Sequence, residues 1–534
     1  MKPTPYLLLA ALLAALLAQA QWPTSPDQRL YVASAASQLL VSDGDGGAFI
    51  LLNGLSMYGL QKLDREGYPV FPSPLNLDIG WGEQTTIYRF IPDGQGGAIA
   101  AVRYERQIYD STRVGLFRFD HDGNVIYWNV APVQPVFWNN YGDYNIAPDG
   151  SGGVYVVMGV AVDNARVQHL GPSGERLWGD EGIFLDIGAA PNNEHCFALS
   201  ADEEGCYGCA IGAEYLRYAF KFSSDGDPLW GLPGMLLPGY GSWMEVAPDG
   251  YGGMVGAYRG YDGLFHLYAY RLNSAGQWVW TPGGVDLGEM YFQLDLVSKP
   301  PFTYVCWDSA REENTQSKLC KLDSNGVPVW PENITILSGF EGKMVDADNT
   351  GLLFMGLNDT GLYCADKYSY MGERLWENDM VLNTPIFEAA GYHTFAGDGS
   401  GGGLYAWSEL DASWWFRTCA AMVNRDGQMG VVLAIAENPQ LNAPQKDEPS
   451  VHPNPANSQS ILTLPASVPP NVTMELRLMD ILGRTIYRQN AKTERRTLAI
   501  FEASNPILPL TSGVYLLQIR CGGNTWSKKI VYLR

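Results

Sequence analysis

A nine-residue tract, LDREGYPVF at residues 63–71, returns in altered form seven more times along the chain. Its glycine falls at Gly67, Gly123, Gly174, Gly226, Gly276, Gly326, Gly372 and Gly427, with gaps of 46 to 56 residues. Self-similarity at such a period marks a repeat array, in which each unit is one supersecondary module that buries its apolar face only against its neighbours. A large ring follows the glycine at a fixed distance. Phe71, Trp178, Trp230, Trp280, Trp330 and Trp376 stand four residues after it and Trp128 five, while Val431 replaces the ring in the last copy.

A second turn lies upstream in each unit, as DGDGG at 43–47, PDGQGG at 92–97, PDGSGG at 148–153, PDGYGG at 248–253 and GDGSGG at 397–402. Asp-Gly and Gly-Gly supply the positive φ that tight hairpins need. Two copies are degraded (ADEEGC at 201–206, ADNTGL at 347–352) and one is replaced by SKPPF at 298–302. Apolar or alternating runs between the turns, such as 99–104, 114–119 and 124–128, suit strands. Four strands per unit, repeated around an axis, make a β-propeller, which leaves only short sheet edges. The expected fold is all-β: an eight-bladed propeller over residues 21–436, with seven blades as the alternative. The segment 29–34 is available as an outer strand for the last blade.

The tracts at 222–230, 322–330 and 368–376 resemble the tryptophan-docking repeat of the quinoprotein-like propellers. That resemblance implies a blade-packing role for Phe71, Trp128, Trp178, Trp230, Trp280, Trp330 and Trp376. Many members of that group hold pyrroloquinoline quinone and oxidise alcohols. This chain has neither an adjacent Cys-Cys pair nor a Cys-x-x-Cys-His motif. The packing role is therefore carried over, and no cofactor is expected.

Both ends of the chain speak of transport. Residues 1–20 combine a basic start, an apolar run of about a dozen residues and small residues before Gln21, which reads as a secretory signal peptide too short to span a membrane. No second long apolar run follows, so no transmembrane segment is expected in the mature chain. Residues 437–450 are rich in proline and polar side chains and read as a linker. Beyond it stand HPNPA at 452–456, LMDILGR at 478–484, LTSGVYL at 510–516 and KKIVYLR at 528–534. In order and spacing these motifs resemble the type A C-terminal sorting domain of the type IX secretion system, with His452 where Tyr or Phe usually precedes Pro-Asn-Pro. The resemblance implies a small Ig-like β-sandwich over 451–534, with Pro453, Asn454, Pro455, Asp480, Gly483, Arg484, Gly513, Tyr515, Lys528 and Lys529 as its sorting motif. It further implies the type IX machinery as partner and export to the medium or outer surface of a Bacteroidota-like cell.

Charge is unevenly placed. The net charge is −22, yet residues 450–534 carry ten Lys/Arg and four Asp/Glu, leaving −28 for everything before. An acidic propeller repels phosphate backbones, so nucleic acid is excluded as a partner.

Catalytic and metal signals are thin. Six histidines, at 121, 169, 195, 266, 393 and 452, occur in no Gly-x-Ser-x-Gly or His-Glu-x-x-His context. The pairs Glu203/Glu204 and Glu312/Glu313 fall in loops. Asp-Gly-x-Gly-Gly lacks the alternating oxygens and terminal Glu of a calcium loop and reads as a turn. Cys206-x-x-Cys209 has no second ligand pair for zinc. Among eight cysteines, Cys306 with Cys320, and Cys196 with Cys206 or Cys209, lie close enough in the pattern for possible disulfides. Aromatic residues outside the repeat (Trp243, Trp278, Trp414, Trp415, Phe137, Trp138 and Tyr141) offer surfaces that grip sugars or peptides when exposed on loops. The sequence therefore leans away from an enzyme and towards a secreted or cell-surface binding or scaffold module with a carbohydrate or protein ligand. The rival reading is a polysaccharide-degrading hydrolase or lyase with an axial active site.

Overall fold

The computed structural model describes residues 22–430 other than 55–56, 78–84, 107–110, 134–143, 162–163, 189–196, 240, 262, 310–315, 338–342, 348, 359, 361, 378–379, 384–388 and 411–414, together with 450–452, 460–464, 473–479, 485–492, 497–500, 513–521 and 524–532. Residues 1–20, expected as a signal peptide, and 437–449 of the expected linker lie outside these residues, whereas Ser450 opens a strand. Two compact units divide the chain, residues 1–432 and 433–534.

Eight four-stranded antiparallel sheets make up the first unit. Their first strands are Ala36–Ser42, Thr85–Pro92, Tyr144–Pro148, Phe197–Asp202, Gly241–Pro248, Phe292–Lys299, Lys343–Asp346 and Ala389–Gly397. Each of these lies beside the next, and the last lies beside the first, so they ring an axis. We number the sheets, or blades, 1 to 8 in that order. In blade 8 the outermost strand is Leu30–Ala33, paired antiparallel with Phe416–Val423. The two ends of the first unit are thus tied in one sheet.

Apolar residues alternate along each strand, so each sheet presents a buried face to either neighbour. The core is accordingly divided into eight clusters, one between each pair of adjacent blades. The repeat tract locks these interfaces. The ring of one blade lies under the glycine of the next: Phe71 under Gly123, Trp178 under Gly226, Trp230 under Gly276, Trp280 under Gly326, Trp330 under Gly372 and Trp376 under Gly427. Each of these glycines has positive φ, and a Cβ at Gly326 or Gly427 would come within 2.8 Å of the indole. Only glycine gives both the backbone angle and the clearance. The indole N–H of Trp178, Trp230, Trp280 and Trp376 then donates to the carbonyl two residues before that glycine, at 2.9–3.1 Å.

Two rings differ from the sequence expectation. Trp128 is not the docking ring of blade 2; it is 39% exposed and meets Phe117 edge-on at 4.8 Å. Tyr127, four residues after Gly123 like its counterparts, lies against Gly174 instead. One step along a strand reverses the face, which sends Trp128 outwards. The ring missing at Val431 is supplied from the other end of the chain. Trp22, 3% exposed, packs on Gly67 and donates its indole N–H to the Arg65 carbonyl at 2.8 Å.

The upstream turns are held by their own aspartates. Oδ1 of Asp43, Asp93, Asp149, Asp249 and Asp398 accepts the N–H groups two and four residues on. The second carboxylate oxygen faces a basic side chain on the third strand: Lys62 at 3.3 Å, Arg118 at 2.8 Å, the His169 imidazole at 3.0 Å and Arg271 at 2.9 Å for the first four of these. Arg118 and Arg271 also donate to Pro172 and Ser324 carbonyls in the following blade. These aspartates are engaged in folding.

Cys306 and Cys320 are free and buried, against the expected disulfide. They sit on paired strands, but Cys306 lies opposite Leu319 and Cys320 opposite Val305. Being one step out of register, they face opposite sides of blade 6, Cys306 towards blade 7 and Cys320 towards blade 5. Cys206 and Cys209 are likewise free and buried, and Cys196 lies outside the described residues.

The second unit has a three-stranded sheet (Ser450–His452, Ser460–Thr463, Thr497–Ile500) and a four-stranded sheet in the order Thr485–Lys492, Thr473–Met479, Gly513–Cys521, Asn524–Tyr532. Met474, Leu476 and Leu478 on one strand and Tyr515, Leu517 and Ile519 on its neighbour are buried, while Glu475 pairs with Arg477 and Arg488 on the other face. Gly513 and Tyr515 therefore belong to the central strand pair, and Lys528 and Lys529 to the edge strand. Pro453, Asn454, Pro455, Asp480, Gly483 and Arg484 lie outside the described residues.

Ring closure through Trp22 yields a prediction. Trp22→Ala removes a buried indole and its hydrogen bond, and is expected to destabilise the first unit by about 3–5 kcal/mol, read as a lower urea midpoint. Trp415→Ala, at a 56% exposed ring, is expected to change stability by no more than about 0.5 kcal/mol. Equal midpoints for the two variants would show that closure does not depend on Trp22.

Candidate functional site

The residues that break the eightfold pattern lie along the axis. Four positions before the turn aspartate, each first strand carries an equivalent residue. In chain order these are Leu39, Arg89, Asn145, Ala198, Glu245, Asp295, Lys343 and Thr394, as the pairing registers align them. One level of the ring therefore holds two cations, two carboxyl groups, an amide and a hydroxyl. Neighbours are linked across blades: Arg89 Nε donates to Asn145 Oδ1 at 3.2 Å, Asn145 Nδ2 to the Phe197 carbonyl at 3.0 Å, and Asp295 Oδ2 accepts the Met344 N–H at 3.0 Å. Thr394 Oγ1 accepts the Leu40 N–H across the blade 8 to blade 1 junction at 3.1 Å.

A cavity of about 240 Å³ opens at this level, lined by Arg89, Phe197, Trp243, Met244, Glu245, Gln293 and Leu294. Its walls come from blades 2, 4, 5 and 6, so it reaches across the axis. Two side chains are delivered to it by bulges. The first strands of blades 5 and 6 slip register between Ser242 and Met244 and between Phe292 and Leu294. Trp243 and Gln293, the extra residues, have φ of 48° and 43°. A bulge re-aims a side chain at the expense of local pairing. Arg259 holds Trp243 in place, with its guanidinium 4.6 Å from the indole and 4.5 Å from Phe265 while donating to the Tyr291 carbonyl and Ser242 Oγ at 3.3 Å.

A larger cavity, about 500 Å³, lies at the turn end between blades 1, 2, 7 and 8. It is lined mainly by apolar side chains and turn glycines, among them Leu40, Val41, Phe395, Gly94 and Gly399. Its acids are already paired, Asp43 with Lys62 and Asp346 with Lys299 at 2.7 Å. The smaller cavity has the more capable chemistry.

Enclosure in the channel wall raises the Glu245 carboxyl to about 8, helped by the negative charge of Asp295 and opposed by Arg89. Asp295 is raised to about 7, first by burial and further by Asp308, against the Met344 N–H and Lys343. Both groups can thus hold a proton near neutrality and donate it in a hydrogen bond.

The other candidates are placed elsewhere. His169 stacks on Tyr155 and pairs with Asp149, His266 pairs with Asp286 at 2.9 Å, and Glu204 pairs with Lys221 at 2.9 Å. Glu312, Glu313, Trp414, Phe137, Trp138 and Tyr141 lie outside the described residues. Trp278 packs beside Tyr270 at the interface of blades 4 and 5. Among the described residues no three His, Cys, Asp or Glu side chains converge as a metal site. The sequence reading picked out Trp243 and passed over Glu245 and Asp295, which stand four residues before the turn position, where the blades share no residue type.

Because both carboxyl groups titrate higher in the fold than in the unfolded chain, they bind more protons folded than unfolded between about pH 4 and pH 8. Their contribution to stability is present in full below that window and is lost as pH rises through it. The melting temperature is expected to fall from pH 5 to pH 9, and Glu245→Gln to flatten part of that fall. An unchanged slope in the variant would contradict the assignment.

Comparison with known proteins agrees with the division of the chain. Residues 450–533 match the secretion system C-terminal sorting domain. No curated protein is significantly similar in sequence. Solved structures similar to the chain include the BP39L lectin from Burkholderia pseudomallei (TM-score 0.43, 11% identity, 67% of this chain and 99% of that one) and the WD40 domain of SCAP from fission yeast (TM-score 0.44, 9% identity, 74% and 97%). The propeller architecture stands on the strand pairing itself. Among the described residues no helix is long and apolar enough to cross a membrane. The C-terminal unit belongs to the type IX sorting domains, which engage the type IX machinery and mark this chain for secretion or display at the outer cell surface.

Proposed function

We propose that the mature protein is an extracellular binding module, in which the propeller captures a carbohydrate or protein ligand at its axis and the sorting domain delivers it. The observation that carries this reading is the axial cavity, where an exposed indole, an amide, a guanidinium and a carboxyl group converge on one small space. Pockets that combine an apolar platform with a few convergent polar groups are the usual place of ligand recognition. The remaining acids of the ring are largely engaged in turns and ion pairs, which supports a scaffold whose chemistry is confined to that opening.

A second reading is favoured by one specific observation. Glu245 and Asp295 occupy equivalent positions on adjacent first strands and titrate near neutrality. A glycoside hydrolase uses one carboxyl group that holds its proton as the acid and a second that is ionised as base or nucleophile, and two neighbouring groups of which one keeps its proton longer can divide those roles.

One experiment separates the two. The mature full-length protein is incubated with a panel of polysaccharides and with outer-surface proteins, and both retained protein and released fragments are scored. Retention without release is expected. Release of oligosaccharides, abolished by Glu245→Gln, would replace the binding reading with the hydrolytic one, and neither retention nor release would overturn both. Delivery has its own test: removal of residues 450–534 is expected to leave the protein in the periplasm of a type IX-competent host, and normal export of the truncated chain would refute the role of the tail.

A further inference from the structure

Two features of the axial cavity go beyond what a folded propeller needs. Trp243 and Gln293 are non-glycine residues in the left-handed region, at the same bulge position of adjacent blades, and face the same cavity. Strain of this kind gathers where a side chain must be presented to something. A bulky residue such as Trp is an outlier there even among non-glycine positions. Trp243 is also fixed: the Arg259 guanidinium lies over its ring, yet the side chain stays 39% exposed. In the same lining, the Glu245 side chain is exposed to the cavity and, among the described residues, its carboxyl makes no hydrogen bond or ion pair.

We propose that this opening is a saccharide-binding subsite, in which the Trp243 indole stacks on the apolar face of a neutral sugar ring while Glu245, Gln293 and Arg89 hydrogen-bond its hydroxyl groups. The proposal rests on the binding reading above and names its ligand class. Three properties of the cavity select this chemistry. Its volume of about 240 Å³ lies below the usual range of about 300–1,000 Å³ for drug-sized ligands, so it admits a single ring or chain end and excludes a protein segment with its flanking side chains. Its lining holds one basic and one acidic group, Arg89 and Glu245, beside the Gln293 amide, so it carries no concentration of charge of either sign that a highly charged ligand would need. Its polar groups are mixed in kind. The Gln293 amide and a protonated Glu245 carboxyl each donate and accept, Arg89 donates, and a sugar hydroxyl requires both a donor and an acceptor.

The aromatic surface continues outwards from the cavity. Arg259 is sandwiched between Trp243 and Phe265, and Phe265 lies 5.0 Å from Tyr261, which is 61% exposed. A chain whose terminal ring sits on Trp243 has a second ring surface within reach on the same blade.

The test uses the mature full-length protein with xylan, galactomannan, mixed-linkage β-glucan and amylose as neutral probes and polygalacturonate as a charged comparison, read by affinity electrophoresis and by indole fluorescence. At least one neutral glycan is expected to retard the protein. Trp243→Ala is expected to weaken that binding by about tenfold or more, as for loss of an aromatic anchor, and Glu245→Gln and Gln293→Ala by several-fold each, while Trp415→Ala binds as the parent does. If Trp243→Ala lowers the melting temperature, the two polar variants decide the result. Neutral-glycan binding undiminished in all three variants, retention by polygalacturonate alone, or binding only to a protein overturns the subsite and leaves the binding module intact. Absence of any binding overturns both.

Discussion

The contact on which the rest of this structure depends is the ring of one blade seated against the glycine of the next. It is a local motif with a non-local effect. A turn that needs positive φ leaves a gap where a Cβ would be, and the preceding blade fills that gap with an indole whose N–H satisfies a turn carbonyl. Since each interface seats a ring on that glycine, an indole at most of them and Phe71 or Tyr127 at two, the array is complete only when the last gap is filled too. Val431 cannot fill it, and Trp22 does so from the other end of the chain, beside the strand Leu30–Ala33 that completes blade 8. Apolar packing and ring closure therefore meet at one residue, Trp22.

A polar system runs in parallel. Turn aspartates with two backbone N–H groups and a buried cation are fully satisfied, and several of the cations reach the following blade as well. Breaking such a pair leaves a buried charge, so these groups define the turn geometry even if their net contribution to stability is small. The abundance of Asp-Gly is a consequence of eight hairpins, and the acids left over near the axis are a different population.

How much was legible in the sequence follows from the same division. The repeat glycines and rings were readable because each makes the same contact in every copy, and repetition is visible in one dimension. The Ala36–Ser42 to Ala389–Gly397 ring and the borrowed outer strand followed from strand count and the need to close a sheet. Trp128 was mistaken for the docking ring because residue type was weighed above spacing; Tyr127 keeps the interval of four. Cys306 and Cys320 looked like partners because their strands pair, but a one-residue register decides the face, and register is set by turn geometry that composition does not express. Glu245 and Asp295 were passed over for the opposite reason. Each is unremarkable in its own strand, and only the closed ring brings them to one level.

That level is where the molecule ceases to be a repeat. At the neighbouring level of the first strands, Leu40, Phe90, Ile146, Leu199, Val246, Leu296, Met344 and Phe395 are all apolar and all serve interblade packing. One residue earlier, the eight equivalents share neither charge nor size. Packing imposes the same demand on every blade, so divergence confined to one level means that packing does not set the choice there. The strain at Trp243 and Gln293 points the same way, because a bulge that only relieved sheet curvature would be served at lower cost by glycine. Blades 5 and 6 instead place a large ring and an amide at that position, two residues before the carboxyl groups of Glu245 and Asp295, whose values are raised towards neutrality. A symmetric scaffold has thereby acquired one asymmetric face at its axis, and recognition by this protein is expected to be decided there.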